Sequence, residues 1–200
     1  MLAEHIFYST AIAIIVGMLW FRFTGRDYSW IIILCSWAPD LDKITDGILN
    51  RFRFTLLFQN HTIHHGSFHN IAVMVIFGII IAFLLNPFGI RFFDGLLLSI
   101  IGFGSHLVED ALVYPVDYMY FWPFSIEKMG LGWLPVGLDE ESYTSTFFHI
   151  ANTEVLLIGI ILVIIAFLIR TWYEGSYRWI RWYMPDKLYR EYFQKKNESS

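Results

Sequence analysis

The stretch Val155-Leu-Leu-Ile-Gly-Ile-Ile-Leu-Val-Ile-Ile-Ala-Phe-Leu-Ile169 contains no charged and no polar side chain. A helix that is apolar on every face has no side to turn toward water, so this segment fits lipid. Four further, mostly apolar runs occupy residues 6–21, 29–38, 71–85 and 96–112. The composition agrees: 56% of the chain is hydrophobic and only 16% charged, and mean hydropathy is +0.50. Soluble domains carry nearer a quarter charged residues. The expected fold is therefore all-α, a polytopic transmembrane bundle of about five spans in a cell membrane. The second run is the shortest, and spans only if its helix continues through Pro39 to Asp42.

Charge sets a direction. Arg22, Arg26 and Arg91 lie between alternate runs, and seven further basic residues follow the fifth, from Arg170 to Lys196. The positive-inside bias then places the N-terminus outside and the C-terminus in the cytosol. Residues 1–171 form the expected bundle. Residues 172–200 form an aromatic, basic interfacial helix and a polar tail against membrane lipids. The start of the chain lacks a basic n-region and a small-residue cleavage site, so it reads as a retained span. A net charge of −4 argues against nucleic-acid partners, which need a concentrated basic surface. Cys35 is the only cysteine, which excludes an internal disulfide and a thiolate metal cluster. It reads as an inert buried residue.

Ionisable groups inside such helices cost a few kcal/mol each and need a reason. They fall in four clusters: His5; Asp40 and Asp42; His61, His64, His65 and His69; and His106 with Glu109 and Asp110. Counted from the cytosolic charges at helical rise, all four reach roughly 18–25 Å, one layer beneath the outer surface. His106 and Asp110 are four residues apart and share a helix face. Imidazoles with carboxylates suit zinc, manganese or iron. The expected ligands are His5, Asp40, Asp42, His64, His69, His106 and Asp110, around one or two divalent ions with zinc foremost. His61 and His65 rank lower, and His149 and Glu154 read as the end of the fifth run. Glu109 and Asp42 are the candidate catalytic carboxylates, free to take a proton from water.

At these residues the chain resembles the membrane-bound metal-dependent hydrolase family, whose members include LexA-regulated bacterial inner-membrane proteins. Its pattern has an early His, a Pro-Asp-x-Asp, a His-Arg-Gly-x-Thr-His-Ser segment, a Gly-x-x-x-His-Leu-x-x-Asp and a Pro-Phe step. Here these are His5, Pro39-Asp40-Leu41-Asp42, His64 through Asn70, Gly102 through Asp110, and Pro123-Phe124. His65 stands for the family's arginine, Phe68 for its threonine and Asn70 for its serine. The resemblance implies a metal-dependent hydrolase. The depth of the layer adds a lipid or lipid-linked ester or phosphoester as substrate.

The alternative is a metal-binding membrane protein that transports or merely braces. A conduit needs polar groups at several depths, and below the common layer runs one, three and five offer little beyond Ser9, Thr10 and Ser99. Outside the spans, residues 43–59 and 114–149 are expected to be irregular, with residues 114–133 a lid or an interfacial belt.

Overall fold

The computed structural model describes residues 2–58, 61–113, 118–133 and 153–183. It is an all-α membrane bundle. Among the described residues, four stretches are long and apolar enough to cross a bilayer: Glu4–Thr24, Ile71–Phe88, Phe92–Val113 and Thr153–Glu174. They correspond to helices α1 (Leu2–Thr24), α4 (Ile71–Leu85, extended by a 3-10 turn), α5 (Phe92–Val113) and α6 (Thr153–Glu174).

The second run departs from a continuous span. Its α-helix, α2, covers only Trp30–Cys35. Beyond it the chain tightens into successive i to i+3 turns, with Ala38 N–H on the Cys35 carbonyl and Asp40 N–H on that of Trp37. Pro39 brings no N–H to a ladder, which favours this tighter winding. Irregular backbone at membrane depth survives only inside protein, and Ile31, Ile32 and Cys35 are buried among the other helices. The segment nevertheless runs the length of the bundle: Asp27 pairs with Arg170 at one end and Asp42 meets His69 at the other.

Residues 43–52, expected to be irregular, belong instead to α3 (Leu41–Phe52). Arg53, in the left-handed region at φ 56°, ends it, with Phe54 N–H returning to the Leu49 carbonyl. A two-residue antiparallel ribbon, β1 (Leu57–Phe58) with β2 (His61–Thr62), leads on to α4.

Lipid tails are as apolar as leucine, so helices in a membrane associate through close packing rather than water exclusion. Small residues permit that here. A Cβ on Gly102 of α5 would lie 2.5 Å from the Ile32 carbonyl oxygen, and one on Gly95 would lie 3.1 Å from Ala82 Cα in α4. Gly102 thus lets residues 30–36 lie directly on α5. Asn70 caps α4, accepting from Val73 N–H at 3.0 Å.

The aromatic segment after α6 begins as a 3-10 helix (Tyr177–Tyr183). Trp172, Tyr173 and Tyr177 are exposed, while Trp179 turns inward under the Arg170 guanidinium, 4.7 Å from its ring. Tyr183 donates to the Ala13 carbonyl, and burial pushes its phenol pKa up, as does Asp27 nearby. The tail from residue 184 lies outside the described residues.

Candidate metal centre

Five parts of the chain bring ionisable groups to one end of the bundle: the start of α1, the turn into α3, the loop before α4, the last turns of α5 and the loop at Tyr118. Glycine shapes the third of these. Gly66 adopts φ 97°, a conformation a side chain resists, and its N–H donates to Asp42 Oδ2 at 2.8 Å. Phe68 N–H joins it at 3.2 Å. Asp42 therefore ties the loop to α3 and aims His69 inward.

Three buried imidazoles are turned in the same sense, two of them by an Nδ1 hydrogen bond. His5 Nδ1 donates to Glu109 Oε2 at 2.8 Å. His106 Nδ1 lies 2.6 Å from the Ser36 carbonyl oxygen, and a carbonyl can only accept, so Nδ1 carries the proton. His69 Nδ1 faces Asp42 Oδ2 at 3.3 Å. Each ring thus turns Nε2 toward the interior. Orientation of ligating histidines by carboxylates and carbonyls is the usual outer shell of a metal site.

The inward atoms converge on carboxylates. His69 Nε2 is 3.2 Å and His106 Nε2 3.3 Å from Asp110 Oδ2. His5 Nε2 is 3.9 Å from Asp110 Oδ1, and the rings of His5 and His106 stack at 3.7 Å. Both ring nitrogens of His69, His106 Nε2, Asp40 Oδ2 and Glu109 Oε1 are buried without a hydrogen bond of acceptable geometry. Nitrogen lone pairs facing carboxylate oxygens at this range repel unless something positive lies between them. A divalent cation meets that requirement, and so does a proton. Among the described residues, three overlapping groups have the mutual spacing of ligands: His5, Asp40 and His106; Asp40, His65 and His69; and His69, His106 and Asp110.

With a proton there instead, His69 changes character. Burial opposes its charge, but Asp110 and Asp42 prevail and raise its pKa to about 10. Asp42 is lowered: its burial is outweighed by His65 and His69.

Five of the seven expected ligands, His5, Asp40, His69, His106 and Asp110, meet here. Asp42 also arrives, but its oxygens are engaged by the Gly66 and Phe68 amides, His65 and His69, which makes it an orienting group. His64 is the correction. Its side chain is exposed and its Nδ1 lies 2.9 Å from the Thr62 carbonyl, outside all three groups. His65 takes that place, with Nδ1 at 3.3 Å from Asp42 and 3.8 Å from Asp40 and Nε2 at 3.1 Å from the Tyr118 hydroxyl. Tyr118, within the expected lid, stacks on His69 at 4.3 Å. The side chain of His61, and all of His149, lie outside the described residues; Glu154 is exposed at the start of α6.

A family model described as YdjM inner membrane protein matches residues 1–178. The chain belongs to the YdjM inner membrane protein family. No curated protein and no solved structure matches it. The inner-membrane assignment agrees with the four apolar helices. In this YdjM-family chain the match includes every residue of the cluster, from His5 to Tyr118.

Sequence reasoning missed a second buried site at the opposite end. Arg170, fully buried, pairs through Nη2 with Asp27 Oδ2 at 2.8 Å and through Nε with Glu174 at 2.8 Å. A Cβ on Gly17 would lie 2.6 Å from Asp27 Oδ2, so the closeness of α1 depends on that glycine. The available signal is a lone arginine directly abutting an uninterrupted apolar run, a position that a topology charge would also occupy.

Proposed function

We propose that this protein is a membrane-embedded, metal-dependent hydrolase of a lipid or lipid-linked ester or phosphoester. The observation that carries the reading is the convergence of His69 and His106 Nε2 on Asp110 Oδ2, with each ring's Nδ1 already turned to another acceptor. His5, Asp40, His69, His106 and Asp110 would hold the ion, with His65 alongside, and nitrogen with carboxylate donors favours zinc, then manganese or iron. Six donors around overlapping groups allow one ion or two.

Such a cation supplies acidity to a bound water and polarises the scissile bond. The chain's residues do the rest. Glu109 holds His5 through Oε2 and leaves Oε1 without a hydrogen bond, so Oε1 is the atom we assign to accept the attacking water's proton. Asp42 holds His65 and His69 in place and takes no proton from substrate. Tyr118 covers His69 on one side. Half-buried His65 and Lys43, each with 23% of its side chain exposed, mark the open side.

Lipids reach this depth sideways from the bilayer, which supports a lipid substrate. The basic residues between alternate spans favour the outer leaflet. The test is turnover of phospholipid or lipid-linked phosphoesters by metal-loaded protein in proteoliposomes. Native protein should release product, and His106→Ala should not. Equal product from both, or none from native protein that holds its metal, contradicts hydrolysis. In the latter case a bracing role fits better.

A further inference from the structure

Helix α3 has a face that the bundle does not cover. Ile44, Ile48 and Phe52 recur every four residues and are 44%, 53% and 66% exposed. On a helical projection at 100° per residue they lie with Leu41, Thr45 and Leu49 in one apolar arc of about 140°. Asp42, Asp46, Asn50, Lys43 and Arg51 fill the remainder. The helix is too polar and, at 12 residues, too short to cross. Those two properties together describe a surface-seeking helix.

Its place in the fold says what covers the stripe. α3 starts beside the beginning of α4, where Asp42 meets His69, so it lies at the end of the spans, next to the lipid that surrounds them. The chain immediately after it is also apolar and exposed, at Phe54, Leu56 and Leu57. Arg51 and Arg53 are exposed at its end, within reach of phosphates by snorkelling. We infer that α3 lies in the membrane interface on the cluster's side, its Ile44–Ile48–Phe52 stripe in the acyl boundary and its arginines among phospholipid headgroups. Asp40 and Asp42, at the N-terminal end of that helix, are thereby carried at headgroup depth. This inference is independent of whether the cluster hydrolyses anything.

The single native cysteine, Cys35, is buried, so single-cysteine labelling is direct. Cysteines are introduced at Ile48, Phe52, Asp46 and Asn50 of the full chain, labelled with a fluorophore and reconstituted in phosphatidylglycerol–phosphatidylethanolamine vesicles. Lipid-borne quencher should act several-fold more strongly at positions 48 and 52 than at 46 and 50, and aqueous iodide the reverse. Equal iodide quenching at all four would put the helix in water and overturn the proposal. Protection of positions 48 and 52 from both quenchers would overturn it too, placing the stripe against another segment or a second copy.

Discussion

His106 Nε2 stands 3.3 Å from Asp110 Oδ2, one helical turn away on α5, while its other ring nitrogen is committed to the Ser36 carbonyl. A neutral imidazole so held presents a lone pair, not a proton, to a carboxylate. A divalent cation held by both residues, or a proton between them, would relieve that repulsion. The predictions below follow from that relationship and from the packing that produces it.

The groups that orient the histidines should matter without being ligands. Glu109→Gln and Asp42→Asn keep shape but weaken the acceptors of His5 and His69. Loss of such an outer-shell partner generally costs about 10–100-fold in metal affinity. Competition with a fluorescent zinc chelator should show that range for both variants, and a change below twofold would deny them the role.

Proton competition gives a sign. With no metal, His69 is held protonated up to about pH 10, against about 6.5 for a free histidine. A pKa raised by folding stabilises the metal-free fold fully below about 6.5, and the contribution is lost as pH rises through about 10. Metal binding must expel this proton, so affinity should climb with pH across the neutral range. Titration with zinc in weak buffer at pH 7.5 should release protons. Uptake, or no change, would contradict a protonated His69.

Gly102→Ala should disturb the centre from a distance. Its Cβ would meet the Ile32 carbonyl at 2.5 Å, pushing residues 30–36 off α5 and the Ser36 acceptor away from His106. Overpacking of this kind costs about 1–3 kcal/mol. Thermal unfolding in detergent should register the loss alongside weaker metal retention. Gly47→Ala in α3, with open space around its Cβ site and better helix propensity, serves as the control that should not destabilise.

At the opposite end, Arg170→Met leaves Asp27 buried and uncompensated. Removing one partner of a buried pair costs about 3–5 kcal/mol. The double variant Arg170→Met with Asp27→Asn should recover part of that loss in the same unfolding measurement. An additive pair of effects would show that the two residues are not energetically coupled.

Much of the centre was legible because helical rise converts sequence position into depth. His5, Asp40, His69, His106 and Asp110 were placed in one layer by counting alone, and they meet. Counting fails where the chain leaves regular structure. His64 and His65 are adjacent, and only the positive φ of Gly66 with its amide on Asp42 decides which of them faces inward. Helix α3 was hidden by its polarity: a search for apolar runs passes over a helix whose apolar residues recur every four positions. The second run was recognisable as membrane-buried, but not as a broken helix. The break begins near Pro39, and its irregular backbone is tolerated at this depth because Gly102 lets α5 pack against it.

Elemental analysis of the purified protein tests the proposed metal centre most directly, comparing native chain with His106→Ala, Asp110→Ala and His64→Ala. Native protein and His64→Ala should each carry one or two transition-metal ions per chain, and the other two variants should lose them while remaining monodisperse. A metal-free native protein that cannot be loaded with zinc, manganese or iron, or a His106→Ala variant retaining its full complement, would contradict the account.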